Sequence, residues 1–414
     1  MAPAERSAVF ERIWTGVNEK FYDPQMNGAD WPAAHLQYRG IVDTVSTDRS
    51  FYAAMNRMLG LLHDAHTRVR APAAVAQQAR QEAANVGLTV RELDGHPTVI
   101  AVRPGSPAAR AGIEPGMLVP SVNGMNTLAR VALVAAAVPS FGANGSSIWR
   151  AYTQVFNGQR DSTMHVTVER ADGSTFDAAL TTEVVSAAPE VDAHVLRSGN
   201  AYIRWNIFRP PIAKDVAAAL GRFREAPGVI LDLRANPGGN GSELDAIARL
   251  FFDERTPVYQ VGERHGSTPP KPTAYYLGSK GGAVYRGPVV ILLNEASGSS
   301  SELFASALQE SGRAKVAGTR TCGCVIGING AQKLPGGAQL DIGARLYLTM
   351  HGEKLDGRGV IPDISAAPTL ADLRARRDVV LEAADQWLHD APPNGASART
   401  RIPLEWIHGG WGLQ

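Results

Sequence analysis

The chain has 414 residues, of which 44% are hydrophobic and 20% charged. This length is enough for roughly two or three globular domains. The formal net charge of +1 argues against a nucleic-acid partner. No apolar run is long enough to span a membrane. The start, Met1 to Phe10, lacks a basic and then apolar signal pattern, so we expect a cytoplasmic protein, or a periplasmic or otherwise extracytoplasmic one if an upstream signal was removed.

Residues 1–75 have the apolar spacing of helices. One helix is predicted from Ala8 to Glu19 and a second from Ser50 to Leu62, each with an apolar face. The second is followed by His63-Asp-Ala-His-Thr67. His66 is therefore either a histidine at the negative end of a helix dipole or a general base.

Residues 82–188 change to short strands and turns after a polar connector at 72–84. The segment PGSPAARAGIEPGMLVPSVNG, residues 104–124, resembles a PDZ domain in composition and spacing. The resemblance implies that Val86, Gly87 and Leu88 present backbone N–H groups to the C-terminal carboxylate of a peptide, which then adds as a strand to the sheet edge. A β-rich domain without a ligand is the alternative. Pro120 lacks a ladder donor, so its strand should lie at an edge or be bulged.

Residues 189–390 alternate strands with helices, which predicts an α/β core with mostly parallel strands. The predicted strands are 201–208, 228–234, 289–293 and 315–318, with a hairpin at 331–348. The predicted helices are 215–224, 242–252 and 373–388. The tail, residues 391–414, resembles a loop, and we expect its Trp406 and Trp411 to dock on the body.

Four serines, Ser297, Ser299, Ser300 and Ser301, lie between a predicted buried strand and a predicted helix. A serine at such a turn is a candidate acyl-transfer nucleophile, because free N–H groups at the helix start can receive an anion. The alternative is that these serines only cap the helix and shape the turn. The local pattern leaves both interpretations open.

A glycine-rich turn follows another predicted strand in Asp232-Leu-Arg-Ala-Asn-Pro-Gly-Gly239. Two glycines let the backbone approach a ligand, which suits an oxyanion hole or a phosphate loop. No lysine follows as a nucleotide site would need. Asp232 and Arg234 are interpreted as an internal ion pair.

Three motifs together, DLRANPGG, NEASGSSSELFASALQESGRAKVAGTRT and GEKLDGRGVIPDI, resemble the tail-specific serine peptidases. This C-terminal processing protease family includes tricorn-like enzymes, and the resemblance runs from the helical start to Asp363-Ile364. It implies a multi-domain α/β fold with a crotonase/ClpP-like core, no cofactor or metal, and peptide or protein C-termini as substrates. It leaves an oligomer open.

The resemblance also assigns residues. The family's nucleophile lies three positions before the glutamate that opens the helix, here Glu302, which makes Ser299 the nucleophile. Ser301 then faces the core. The N–H groups of Gly238, with Gly239 nearby, and of Ser300 form the implied oxyanion hole.

The base departs from the main branch of the family. Cys324 stands where the processing proteases have their catalytic lysine, and the register does not favour Lys315 or Arg320 as a substitute. The tricorn-like branch uses a histidine, which corresponds to His66, and a supporting carboxylate, which corresponds to Asp356. Histidine ordinarily has a pKa of about 6.5, which suits a base at neutral pH.

Cys322 and Cys324 are the two cysteines of the chain. Their spacing fits neither a disulfide framework nor a zinc site, so they are interpreted as buried residues on one face of a strand. The alternative hypothesis is that both face the catalytic site, where oxidation or metal capture would silence the enzyme.

The leading hypothesis is a serine endopeptidase of the C-terminal processing type. The missing lysine keeps open a catalytically impaired relative that binds peptides or other ligands. An esterase or lactonase that uses the same serine is the third hypothesis.

Overall fold

The computed structural model describes residues 1–80, 82–137, 146–157, 161–278 and 285–390. The predicted docking of Trp406 and Trp411 lies outside the described residues. No helix in the described ranges is long and apolar enough to cross a membrane.

The N-terminal region is helical, as predicted, but contains a helix that the sequence analysis does not single out. Its elements are α1 (Pro3–Lys20), α2 (Trp31–Thr44), α3 (Asp48–Gly60), β1 (Arg68–Arg70) and α4 (Pro72–Ala79). The added helix, α2, begins where the Asp30 side chain accepts a hydrogen bond from the Ala33 N–H. The predicted connector at 72–84 is largely the short helix α4.

The helical region shares its hydrophobic core with residues far along the chain. Phe10 and Met55 are fully buried in one cluster with Leu340 and Ile342. In addition, β1 pairs antiparallel with a strand at Gln339–Asp341. The N-terminal helices are therefore fixed against the α/β core, through residues 339–342.

The β domain, residues 82–186, has its own hydrophobic core. Its elements are β2 (Glu82–Asn85), β3 (Leu88–Leu93), β4 (His96–Val102), α5 (Pro107–Arg110), β5 (Leu118–Val122), β6 (Met125–Asn126), α6 (Thr127–Ala137), α7 (Ser146–Phe156), β7 (Thr163–Glu169), β8 (Thr175–Thr181) and β9 (Glu183–Ser186). The sheet order is β3-β4-β5-β7-β8. Strand β5 is internal, and its register shifts between Leu118 and Ser121, so Pro120 is accommodated by a bulge and not by an edge.

The α/β core completes the described chain. Its elements are β10 (Val191–Val195), β11 (Ala201–Trp205), α8 (Ile212–Arg222), β12 (Val229–Asp232), α9 (Gly241–Ala248), β13 (Thr256–Glu263), β14 (Thr273–Leu277), β15 (Val289–Leu293), α10 (Ser300–Glu310), β16 (Lys315–Gly318), β17 (Gly327–Ile328), β18 (Gln332–Lys333), β19 (Gln339–Asp341), β20 (Gly343–Thr349), β21 (Ile364–Ser365), α11 (Leu370–Arg374) and α12 (Val379–Asp390). The helix predicted at 373–388 is therefore two helices. The one predicted from Ser242 begins instead at Gly241, after Asn240.

The main sheet has the order β10-β11-β12-β15-β16-β21, and all of its pairs except β10–β11 are parallel. Leu231 and Ile291 face one cluster with α8, α9 and α10, whereas Ile230 and Val290 face α12. Because both faces are covered, the strands are continuous apolar runs. Their carboxyl ends meet at one edge, where open α/β sheets usually bind ligands.

A buried ion pair stabilises that edge, as the sequence predicts. Asp232 is 1% exposed, and its carboxylate accepts hydrogen bonds from the Arg234 guanidinium and the Tyr202 hydroxyl. Arg234 also donates two hydrogen bonds of 2.8 Å to Asp378, just before α12. The arginine thus links the end of β12 to the helix on the outer face of the sheet.

Replacing this arginine should destabilise the protein. Arg234→Met leaves the buried Asp232 carboxylate without its cation, which should cost about 3 kcal/mol, measured by urea unfolding. The control is Arg224→Met, because Arg224 and its partner Glu225 are exposed and such pairs contribute little. Equal stability of the two variants would show that the buried pair does not support the fold.

The pH dependence of stability should follow from Asp378. Burial alone raises the pKa of this carboxyl, but the hydrogen bonds and charge of Arg234 outweigh burial and hold the pKa below its ordinary value. Its stabilising contribution is therefore present above about pH 4 and is lost as the pH falls through the lowered pKa. Asp378→Asn should flatten the acid side of the thermal-midpoint profile, and an unchanged profile would contradict this.

Candidate functional site

The serine turn, residues 297–301, separates one hydroxyl from the others. Ser297 Oγ donates to the Leu233 carbonyl, Ser300 Oγ to Gly239, and Ser301 Oγ to Asn236, at 2.9 to 3.0 Å. These three serines therefore shape the turn, which is the role that the alternative interpretation gives to all four. Ser301 is buried, as predicted. In the part of the chain that the structure describes, the Ser299 hydroxyl donates to no acceptor, although its oxygen faces the Glu302 N–H at the start of α10. It is the hydroxyl left free for chemistry.

The backbone of Ser299 is in a conformation that L-residues rarely adopt. Its φ is 55° and its ψ is −117°, at the junction between β15 and α10. Strained backbone persists where the surroundings over-determine it, and such residues concentrate at functional sites. The Ser299 N–H donates to both the Cys324 carbonyl and the Glu302 carboxylate, which fix this turn.

Glu302 is fully buried, and its carboxylate links the segment that follows β15 to the segment that follows β16. It accepts four hydrogen bonds of 2.6 to 2.9 Å, from the N–H groups of Ser299, Gly323 and Cys324 and from the Thr321 hydroxyl. Burial raises the pKa of the Glu302 carboxyl, and the four donors oppose this rise because they stabilise the ionised form. The residue that marked the nucleophile in the sequence thus also positions it.

The glycine-rich turn lies directly against the serine turn. A Cβ added to Gly238 would come within 2.7 Å of both Ser299 Cβ and the Ser300 nitrogen, so only glycine fits here. However, the Gly238 N–H already donates to the Asn236 side chain at 2.9 Å. Over the described residues, the N–H groups of Gly239 and Ser300 have no such partner. They are therefore the better placed donors for an oxyanion.

His66 lies in the loop between α3 and β1, six residues beyond the end of α3 at Gly60, and not at a helix terminus. The same loop holds Asp64, a residue that the sequence analysis misses. Asp64 Oδ1 accepts the His66 N–H at 3.0 Å and lies 3.7 Å from His66 Nδ1, while Oδ2 accepts the N–H and the hydroxyl of Thr67. An Asp two positions before a His, in a turn sequence, is the signal that could have found it.

The charge of Asp64 is set by these contacts. Burial alone raises the pKa of Asp64, but the neighbouring His66 and the donors of Thr67 outweigh burial and lower it. His66 Nδ1 is buried and has no hydrogen-bond partner in the described ranges. An ionised carboxylate therefore faces this side of the imidazole.

Asp356 lies near Asp64 and His66, but its carboxylate has a different hydrogen-bond partner. Its carboxylate accepts the Val325 N–H at 3.0 Å. Burial and then the charge of Asp64 raise the pKa of Asp356, while Val325, Lys354 and His66 oppose the rise. Since two nearby carboxylates resist ionising together, Asp64 is the more readily ionised of the two. The supporting role assigned to Asp356 stays a prediction, and Asp64 is the carboxylate in contact with His66.

Cys322 and Cys324 are buried, as predicted, but they are joined by a disulfide that the sequence analysis does not predict, and they lie in a segment without regular secondary structure and not on a strand. Ala65 packs against both cysteines, so the His66 loop lies beside the serine turn. No hydrogen bond joins His66 to Ser299 among the described contacts. The Cys324 carbonyl accepts the Ser299 N–H and the Cys322 N–H donates to the Ser297 carbonyl, so the cysteines are close to the site. Whether oxidation silences activity stays a prediction.

Lys315 and Arg320, the two residues considered as substitutes for the missing lysine, bond to groups other than Ser299. Lys315 donates to Asp363 at 3.1 Å, and its side chain is half exposed. Arg320 donates to the backbone carbonyl of Arg358. His66 is therefore the remaining candidate base among the residues that the sequence singles out.

The residues predicted to bind a peptide carboxylate in the β domain form a tight turn, and their binding role stays a prediction. Gly87 has a φ of 76°, and a Cβ there would collide with Ser106, so the turn needs glycine. The Gly87 N–H donates to the Asn85 side chain at 3.0 Å, which takes one of the three predicted donors. Strand β3 follows this turn directly.

Known proteins share both the sequence and the fold. Residues 199–366 match the model of peptidase family S41, and residues 2–60 match that of the tricorn protease C1 domain. A carboxyl-terminal-processing protease of Picosynechococcus sp. is 28% identical and aligns over 87% of this chain and 85% of its own. A carboxyl-terminal-processing protease of Synechocystis sp. is 27% identical, and the alignment covers 93% of this chain and 87% of that protein.

Solved structures show the same fold at low identity. The photosystem II D1 C-terminal processing protease has a TM-score of 0.59 at 23% identity and covers 92% of this chain and 97% of its own. Mature CPAF complexed with lactacystin has a TM-score of 0.69 at 14% identity and covers 94% and 97%. The predicted family resemblance and the multi-domain α/β fold are confirmed.

Replacing Glu302 should disable the site without removing a reacting group. Glu302→Gln places an amide N–H₂ against two of the four donors, which leaves buried groups unpaired and should cost about 3 kcal/mol of stability. Activity on a peptide substrate should fall at least about 100-fold, because the backbone of Ser299 is no longer fixed. Glu310→Gln, on the same helix but bonded to Ser306 and Met350, is the control. Near-normal stability and activity of Glu302→Gln would show that this carboxylate is dispensable.

Proposed function

We propose that the protein is a serine endopeptidase that cleaves near the C-terminal ends of peptides or proteins, because residues 199–366 match the model of peptidase family S41. The observation that carries the assignment of the nucleophile is the free hydroxyl of Ser299. Its three neighbours in the serine turn all donate to backbone carbonyls. The relatives are named as proteases, which favours a peptidase over an esterase or a non-catalytic ligand-binding protein.

The proposed chemistry is acyl transfer. Ser299 Oγ attacks the scissile carbonyl carbon while His66 takes the hydroxyl proton, and the imidazolium then gives that proton to the leaving amine. Water, deprotonated by the same histidine, hydrolyses the acyl-enzyme. The hydrogen bond from Ser299 to His66 forms in the substrate complex, since catalytic hydrogen bonds tighten on binding.

The N–H groups of Gly239 and Ser300 receive the oxyanion in this proposal. Both are free of other acceptors in the described ranges, and Gly238 keeps the two turns in contact. The removal of one such donor costs about 3–4 kcal/mol of transition-state stabilisation in enzymes of this kind. Asp64 supports the imidazolium from the other side of the ring.

The PDZ-like β domain supplies the substrate specificity. The turn at Val86, Gly87 and Leu88 would hold the C-terminal carboxylate of the substrate, with the rest of the peptide extended along β3. This agrees with the C-terminal processing activity that the names of the relatives state.

The nucleophile can be tested by one substitution with a control on the same helix. Ser299→Ala should lower peptide hydrolysis at least about 1,000-fold and abolish labelling by a fluorophosphonate probe. Ser306→Ala removes a hydroxyl that only contacts Glu310, and it should keep both properties. Labelling of Ser299→Ala at the wild-type rate would refute the assignment.

The two carboxylates near His66 can be separated by their effect on catalysis. Asp64→Asn keeps the oxygen that accepts the His66 N–H but removes the charge. We expect kcat/KM for a peptide substrate to fall about 100-fold or more, because the imidazolium that forms during acyl transfer loses its counter-charge. Asp356→Asn should lower kcat/KM less. The opposite ranking would make Asp356 the supporting group.

A further inference from the structure

A cavity of about 760 Å³ separates the β domain from the carboxyl edge of the main sheet. The β domain contributes Arg91 of β3 and Trp149 of α7 to its wall, and the core contributes Asn294, Glu295 and Thr319. Asn294 and Glu295 belong to the same connection as Ser299. A ligand in this cavity would therefore lie between the groove for the peptide and the catalytic turn.

Arg91 is a buried cation with unused donors. Its exposed fraction is 6%, and its guanidinium lies over the ring of Trp149. Nη1 donates to the Val90 carbonyl, but Nε and Nη2 have no partner in the described residues. Burial lowers the pKa of Arg91 to about 8 although the charge of Glu295 opposes this, and no ion pair to Arg91 is found in the described residues. A desolvated arginine without a carboxylate is costly, so a ligand that supplies one would bind favourably.

Other arginines on the wall of the cavity already have acidic partners. Arg234 pairs with Asp232 and Asp378, Arg376 with Glu114, and Arg377 with Asp372 and Glu382. Arg204 is exposed to solvent. Arg91 is therefore the buried arginine on the described cavity wall that lacks an acidic partner.

The position of Arg91 on β3 defines where that anion would come from. Among the described strands, β3 pairs only with β4, so its other edge is open to a peptide beside α7. A peptide whose last residue lies opposite Leu88 would run antiparallel along β3, with one residue opposite each strand residue. Arg91 is three positions beyond Leu88, so it faces the residue three positions before the last. Directly opposed side chains lie on the same face of a sheet.

We propose that Arg91 is a specificity-determining residue that binds an acidic side chain, Asp or Glu, located three positions before the C-terminal residue of the substrate. This deepens the proposed function and rests on it. The acidic side chain forms an ion pair with Nε and Nη2 of Arg91, whose own exposed fraction is only 6%. A bidentate pair of this kind discriminates by geometry as well as by charge.

The experiment measures peptide binding without cleavage. Fluorescein-labelled decapeptides that differ only at the fourth residue from the end, which is Glu, Gln or Lys, are titrated into the full chain carrying Ser299→Ala. Fluorescence anisotropy should show about 10-fold or tighter binding of the Glu peptide than of the Gln peptide, with the Lys peptide weakest. Equal affinities for the three peptides, or no binding of any of them, overturn the proposal.

Two variants of the arginine identify it as the source of the preference. In the Ser299→Ala background, Arg91→Gln should remove the preference and Arg91→Glu should reverse it in favour of the Lys peptide. Arg204→Gln, which removes the exposed arginine on the same cavity wall, should retain it. A preference that survives Arg91→Gln overturns the proposal. Should either Arg91 variant fail to fold, judged by circular dichroism, the peptide series on the Ser299→Ala protein still decides.

Arg91 could bind either the acidic side chain or the terminal carboxylate of the peptide, and C-terminally amidated Glu and Gln peptides distinguish the two. Amidation should weaken binding of both peptides equally, because the preference for Glu depends on the side chain. If amidation alone abolishes the difference, Arg91 binds the terminal carboxylate and the proposal is wrong. Hydrolysis of the neutral Gln peptide by the wild type is measured separately. Cleavage without a charge preference leaves the proposed function intact, and absence of Ser299-dependent cleavage refutes that function independently.

Discussion

The buried carboxylate of Glu302 is the interaction on which the candidate site depends. It belongs to the first turn of α10, yet it accepts donors from the connection after β16 as well as from Ser299. A buried carboxylate is tolerated only when its oxygens are satisfied, and this requirement fixes the positions of all four donors at once. The positive φ of Ser299 persists because the turn is held on both sides, by this carboxylate and by the Cys324 carbonyl.

The parallel sheet brings the other parts to the same place. Strands β12, β15 and β16 end together, so the connections that follow them are neighbours although they are distant in sequence. The serine hydroxyls at 297, 300 and 301 then bond the glycine-rich turn to the serine turn. The histidine loop comes from the N-terminal helices, which are anchored by their shared core with β19 and β20. The site therefore combines the N-terminal helical region with the α/β core.

The sequence predicts those features that depend on local pattern or on motif spacing. The buried strands, the Asp232–Arg234 pair and the position of Ser299 relative to Glu302 all belong to this class. For Pro120 the sequence left an edge strand and a bulge open, and the structure has the bulge. Features that depend on which loops become neighbours are not available from pattern. The sequence places Asp64 near His66, but that Asp64 and not Asp356 contacts the imidazole needed coordinates. So did the acceptor of the Gly238 N–H, because both Asp232 and Asn236 precede that glycine. The unpaired donors of Arg91 are invisible in a sequence in which arginines are common.

The exchange of lysine for cysteine is consistent with a histidine base on steric grounds. Cys324 is buried, and Ala65 fills the space beside it and Cys322. A lysine at position 324 would need room for its four-carbon stem and ammonium group beside Ala65, and the ammonium would add a cation near His66, the proposed base. With two small cysteines there, the loop that carries Asp64 and His66 packs against the segment whose Cys324 carbonyl accepts the Ser299 N–H. The cysteine at position 324 and the proposed histidine base are therefore compatible with one packing arrangement.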